Sequence, residues 1–189
     1  AQSEDSIADS GYSSAEGEDI RNYSGREYDI IGGNFGHYGG DNPQVILPEG
    51  ITKIGNRVFY NNQNIDSVVV PQSVNEIGDF AFARSSVSSV SIPDSVSKIG
   101  YAAFYNCPNL TDIYIPSTVK DIELGALEGT GFMNNWRSIE DGNNFLIAGD
   151  NILVAYKGHS SEVKIPEGIE TIGPGVFEGD SRLRTIYIP

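Results

Sequence analysis

Two histidines, His37 and His159, and one cysteine, Cys107, are the residues of this 189-residue chain best suited to chemistry. A nucleophilic site needs a Ser, Thr or Cys beside a His that a third group orients. His37 falls in a glycine-rich stretch near the start, and His159 in a turn before a strand. The two belong to opposite parts of the molecule and share no such partner. A zinc site needs three or four converging His, Cys or acidic ligands. Two distant histidines and one cysteine do not supply them. The 26 acids form no HExxH and no EF-hand series. Asp141-Gly142-Asn143-Asn144 offers oxygen ligands to calcium, but carboxylates are abundant throughout. Glycoside hydrolysis asks only for two carboxylates at the right separation. Here the acids fall mostly in loops or on repeated faces, as solvated charge does. The Gly32-Gly33, Gly36 and Gly39-Gly40 cluster has neither the spacing nor the lysine of a phosphate loop. The reading is of a non-enzyme without metal or cofactor.

Bulk properties narrow the partners. The formal net charge is -14 and the sequence pI is about 4.3. Such acidity disfavours nucleic acid and anionic membrane surfaces, and no stripe of Lys and Arg offsets it. No apolar run approaches the roughly 18 residues of a spanning helix. One cysteine cannot form an intrachain disulfide. The opening Ala1-Gln2-Ser3 matches what cleavage of a signal peptide behind a small-residue site leaves.

The elements that must position any site are repeats. Prolines close a strand-like tripeptide at Pro48, Pro71, Pro93, Pro116, Pro166 and Pro189, spaced 23, 22, 23, 50 and 23 residues apart. Three residues after each full-unit proline stands Ile51, Val74, Val96, Val119 or Ile169. Six after stands Ile54, Ile77, Ile99, Ile122 or Ile172. Gly55, Gly78, Gly100 and Gly173 follow, with Glu123 the exception. Then come Phe59, Phe82, Phe104, Leu127 and Phe177. The alternation at Ile113 and Ile115 points both inward and turns Asp112 and Tyr114 outward. Proline stops a strand that must turn at once. The glycine is expected to permit a tight turn, and the phenylalanines to stack coil over coil. One such unit cannot bury its apolar face; stacked neighbours can.

The pattern Leu110-x-x-Ile113-x-Ile115-Pro116-x-x-Val119-x-x-Ile122, with Ile99-Gly100-x-x-Ala103-Phe104-x-x-Cys107-x-x-Leu110, resembles the BspA-like bacterial leucine-rich repeats, the Treponema pallidum type. The resemblance covers roughly residues 42–189. It implies a leucine-rich-repeat solenoid, placed by convention in the α/β class but strand-rich with little helix. It implies a right-handed, curved stack of ~23-residue repeats with one strand per repeat on one face. It further implies a secreted or cell-surface protein, with roles such as adhesion to host matrix proteins or other cells. Cys107 matches the family's cysteine column, which otherwise reads Asn62, Ser85 and Asp180. A structural, half-buried thiol is expected there.

Two stretches depart from the repeat. Residues 1–41 hold nine acids against two arginines. Residues 1–19 read as a mobile acidic segment. Residues 20–41, with Ile20, Tyr23, Tyr28, Ile30, Ile31, Phe35 and Tyr38, read as an N-terminal cap. The second departure, at about 130–158, breaks the repeat domain of 42–189. Phe145–Ala148 and Ile152–Tyr156 flank Gly149-Asp150-Asn151, which reads as an inserted β-hairpin. Trp136 is expected to pack beneath it.

Binding falls to outward strand positions. One ladder reads Ile46, Val69, Ser91, Tyr114, Lys164 and Tyr187; beside it run Gln44, Ser67, Ser89, Asp112, Glu162 and Thr185. Tyr offers contact area and a hydroxyl at low entropic cost. The candidate ligand-binding set is therefore Tyr114, Tyr187, Asp112, Glu162, Lys164 and Thr185, with Trp136 as an aromatic platform. The expected partner is an extracellular protein, with a polysaccharide or cell-wall glycan as the alternative and a spacer role as a third. No polar cap follows Pro189, so the natural chain is expected to continue; an open edge there would promote end-to-end self-association.

Overall fold

The computed structural model describes residues 28–189. The expectation of a mobile 1–19 segment, and the cap segment before residue 28, lie outside them. The chain winds in coils, each carrying a strand ahead of its proline, a two-residue strand beyond it, and a broad turn. The first strands are β3 (Gln44–Ile46), β5 (Ser67–Val69) and β7 (Ser89–Ser91), paired in parallel in that order. The second strands are β4 (Lys53–Ile54), β6 (Glu76–Ile77), β8 (Lys98–Ile99) and β9 (Asp121–Ile122), also parallel. The turns pair as well. Phe59 N–H donates to Ala81 O at 2.7 Å, Phe82 to Ala103 O at 2.8 Å and Phe104 to Ala126 O at 2.8 Å. Coil meets coil through three hydrogen-bonded ladders.

Inside, the columns stack. Phe35, Phe59, Phe82 and Phe104 are buried, with ring centroids 6.1, 5.0 and 5.1 Å apart. Ile54, Ile77 and Ile99 are fully buried and in register. Burial of one such aromatic side chain contributes about 1.5–3 kcal/mol. A second apolar group forms outside the turns: Phe80, Ala83, Ala102 and Tyr105, covered by Tyr60 and Tyr101. The Arg57 guanidinium lies 5.3 Å from the Tyr60 ring centroid and 5.0 Å from that of Phe80.

The insertion starts in register and then changes structure. Thr130, fully buried, stands in the column of Asn62, Ser85 and Cys107. The Gly131 and Phe132 N–H groups donate to Cys107 O and Leu110 O at 3.2 and 2.7 Å. Where a strand should follow, the chain forms α1 (Gly131–Ser138). The Thr130 hydroxyl caps it, accepting the Met133 N–H at 3.0 Å. Phe132, Met133 and Trp136 have helical spacing, and no β-branched residue interrupts them. Then come β10 (Phe145–Ala148) and β11 (Ile152–Tyr156), the expected hairpin. Its second strand pairs in parallel with β13 (Thr171–Ile172), so it supplies one rung of the second-strand ladder. The coil after it gives β12 (Glu162–Lys164), which pairs with β14 (Thr185–Tyr187).

The N-terminal hairpin is built to the same plan. β1 (Tyr28–Ile31) pairs with β2 (Asn34–Tyr38), and β2 supplies the rung beneath β4. The two hairpins share register and bulge: Ile30↔Phe35 then Asp29↔His37 in one, Ile147↔Leu153 then Leu146↔Ala155 in the other. Pro48-Glu49-Gly50-Ile51 recurs as Pro166-Glu167-Gly168-Ile169. A hairpin followed by a coil is thus a unit that the chain uses twice.

The glycine column has a different reason from the one expected. Gly55, Gly78, Gly100 and Gly173 each donate an N–H to the rung below at 2.8 Å. A Cβ on Gly78 would lie 2.8 Å from Ile54 O and 2.5 Å from Asn56 Oδ1; on Gly100, 2.9 Å from the Asp79 nitrogen. Close backbone approach excludes the side chain, not a tight turn. Glu123, the exception, makes the corresponding bond from its N–H to Ile99 O at 3.0 Å. Gly78→Ala is expected to cost about 1–3 kcal/mol, the range for overpacking. Urea melts check it, and adding Asn56→Ala should recover only part, because the carbonyl clash persists.

Candidate binding face

The strand face does not form one continuous ladder. β3, β5 and β7 make one sheet and β12 with β14 another. Asp112, Ile113 and Tyr114 follow the inward-outward alternation, with Ile113 buried and Tyr114 72% exposed, but they form no strand. Cys107 and Leu110 instead give carbonyls to the start of α1. The ladder through Tyr114 is therefore broken, because a helix replaces the strand of the next coil.

Beyond the break, four candidates come together. β12 and β14 place Glu162 opposite Thr185 and Lys164 opposite Tyr187. The Lys164 ammonium lies 5.9 Å from the Tyr187 ring centroid. Such a contact is worth about 0.5–1 kcal/mol at an exposed site. Glu162, Lys164 and Tyr187 are exposed, and Thr185 is half-buried. Asp112 and Tyr114 are exposed on coil four, and no contact joins them to this group. Trp136 sits on α1, partly buried against the core, with Lys157 Nζ 4.9 Å from its ring centroid and donating to its carbonyl at 2.8 Å. Packing engages its ring.

The face carries one feature that the candidate set omits. Ile46 and Val69 are 78% and 46% exposed and are paired in register. Two adjacent outward apolar side chains on a sheet are a contact surface in water. The sequence carries the signal, since both stand in the outward column.

The second-strand ladder behaves otherwise. Its outward column reads Lys53, Glu76, Lys98, Asp121, and the charges pair with each other. Lys53 Nζ lies 2.8 Å from Glu76, and Lys98 Nζ 3.5 Å from Asp121 and in contact with Glu123. The Glu123 hydrogen bond raises the Lys98 pKa above its ordinary value. Among the described residues no group of His, Cys, Asp and Glu could hold a metal, and no helix is long and apolar enough to cross a membrane. His37 lies on β2 and His159 is exposed ahead of β12.

This architecture is that of a leucine-rich-repeat solenoid. A family model described as the BspA type leucine rich repeat region matches in six copies, over residues 33–146 and 132–189. The chain belongs to that family, and it is a repeat module that presents a surface for interactions. It is similar to the solved structure of a leucine rich cell surface protein from Faecalibacterium prausnitzii, at 27% identity and TM-score 0.52, covering 86% of this chain and 40% of that one. A leucine-rich repeat protein from Bacteroides ovatus has the same fold, at 23% identity and TM-score 0.51, covering 86% and 39%. The chain thus spans about two-fifths of either structure. No curated protein matches it.

Cys107 is fully buried, donating to Phe82 O at 3.0 Å with Ser85 Oγ 3.6 Å away. Burial pushes its thiol pKa up. It is expected to stay protonated and to resist thiol reagents at neutral pH. Labelling with and without denaturant checks this: modification should appear only when the chain unfolds.

Proposed function

We infer that the strand face binds a protein at or outside the cell surface. The observation that carries the reading is the exposed apolar and aromatic content of that face beside a self-paired second ladder. Ile46, Val69, Tyr114 and Tyr187 stand outward and exposed, Tyr187 beside the Lys164 ammonium, while the charges of the other ladder satisfy one another. Aromatic anchors with a polar surround of Glu162, Lys164 and Thr185 suit a protein interface, where Tyr and apolar side chains supply area and charged residues set register. The extracellular setting is supported by the cell surface protein to which the chain is similar. A polysaccharide is the alternative occupant, favoured by Tyr114, whose ring is free enough to stack on a sugar.

The test is binding of the folded chain to parallel arrays of extracellular proteins and of polysaccharides. The expected result is saturable binding to a protein, weakened at least ~10-fold by Tyr114→Ala/Tyr187→Ala, since loss of two aromatic anchors costs above 1 kcal/mol each. Binding to glycans alone would replace the partner class. Binding untouched by the double variant would move the site off this face.

A further inference from the structure

The hairpin that interrupts the repeats supplies a rung to one ladder only. Asp150 N–H donates to Val119 O at 2.8 Å and Glu170 N–H to Asn151 O at 3.1 Å, so the hairpin takes one place between β9 and β13. An ordinary coil would then add a turn to the turn ladder. This one does not: β11 runs on to Tyr156 and the chain crosses directly to β12. The turn ladder therefore lacks one rung, and a cleft of about 500 Å3 lies there.

Its walls are defined by register. In intact coils the N–H groups of Arg57, Phe59 and Asn61, of Phe80, Phe82 and Arg84, and of Ala102, Phe104 and Asn106 donate to the next turn at 2.7–3.0 Å. The corresponding donors on one wall are Gly125, Leu127 and Gly129. The corresponding acceptors on the other are the carbonyls of Pro174, Val176 and Glu178. Among the described residues none of these six groups has a hydrogen-bond partner. Both walls also carry glycine at the two left-handed positions of the turn, Gly125 and Gly129, Gly175 and Gly179, where coils one to three carry side chains such as Arg57 and Phe80. These four positions carry no Cβ, and the Leu124 side chain reaches toward Gly175. The floor is apolar, with Val154, Tyr156 and Met133.

We propose that this cleft binds an extended, net-basic peptide segment of another polypeptide, which completes the missing rung by main-chain pairing. By register with the intact coils, three donors on one wall and three acceptors on the other flank the place of one missing rung, and an extended peptide supplies both partners. The lining holds Glu123, Glu128 and Glu178 with Arg137; Lys98 binds Glu123, and Arg137 binds Glu128 at 2.6 and 2.8 Å, so Glu178 is the lining carboxylate without an ion pair among the described residues. That one uncompensated charge favours a basic occupant. The chain's own residues 1–27, with seven acids and two arginines, fit poorly. The site is separate from the strand face, so either reading stands or falls alone.

The experiment is an NMR titration of the isotope-labelled full chain with a lysine-flanked synthetic peptide copying the intact turn Tyr101–Asn106. The expected result is saturable shifts at Gly125, Leu127 and Gly129, with amide exchange there slowed about tenfold or more. The same peptide N-methylated at the residues copying Ala102, Phe104 and Asn106 should lose the effect. The Tyr114→Ala/Tyr187→Ala variant should bind the peptide unchanged. Four outcomes overturn the proposal: no shifts at roughly millimolar peptide, shifts confined to the final turn at Gly175–Gly179, shifts on the strand face, or equal binding by the N-methylated peptide.

Discussion

Everything in this fold hangs on the distance at which one coil's backbone meets the next. The 2.8 Å bonds from Gly55, Gly78, Gly100 and Gly173 to the rung below set that distance. Once coils approach so closely, the remaining columns have no choice. Rings of Phe59, Phe82 and Phe104 must stack at about one strand spacing, and they do, 5.0–5.1 Å apart and within 14° of parallel. Outward side chains are brought equally close. Like charges there would repel, and the second ladder alternates Lys53, Glu76, Lys98 and Asp121 accordingly. A single spacing thus governs core, surface charge and the edges of the cleft.

That spacing explains how the two outer faces come to differ. A ladder of alternating charge satisfies itself and offers a partner only screened surface pairs, worth little individually. The strand face uses no such alternation. Its outward positions are small polar residues in coils two and three, Ser67, Ser89 and Ser91, with Ile46 and Val69 exposed next to them. Small side chains leave the sheet surface accessible, and the larger ones stand proud of it. Contact energy available to a partner is concentrated where burial is not already complete.

The columns were legible in the sequence because each is a residue type at a fixed offset from proline. Inward Ile and Phe, the hairpin at 145–156 and the outward Tyr114 could all be read that way. Three things could not. The helix at Gly131–Ser138 replaces a strand, and its signals, the Thr130 cap and the spacing of Phe132, Met133 and Trp136, are local and weaker than the expectation of another coil. The reason for the glycine column needs the distance to a neighbouring carbonyl, which no single coil contains. The break in the strand face follows from pairing, so Lys164 and Tyr187 come together while Tyr114 stands apart. The duplicated hairpin was readable in principle from Pro48-Glu49-Gly50-Ile51 and Pro166-Glu167-Gly168-Ile169, but β1–β2 and β10–β11 share register more than residue identity.

A repeat stack is regular by construction, so its irregularities are where individuality enters. Here one irregularity has two consequences. Replacing the strand after coil four by α1 divides the strand face and sets the Lys164–Tyr187 pair on a two-stranded sheet of its own. Replacing the turn after β11 by a direct crossover opens the turn ladder. Apolar side chains still fill the interior at the insertion: Met133 and Ile152 join the main core, and Leu153 is buried in a second cluster with Val163 and Ile165. The hairpin and helix therefore keep side chains buried while freeing backbone groups at the surface. Burial is conserved and hydrogen-bonding capacity is not, and unmet hydrogen-bonding capacity on an ordered edge is what a second chain can recognise.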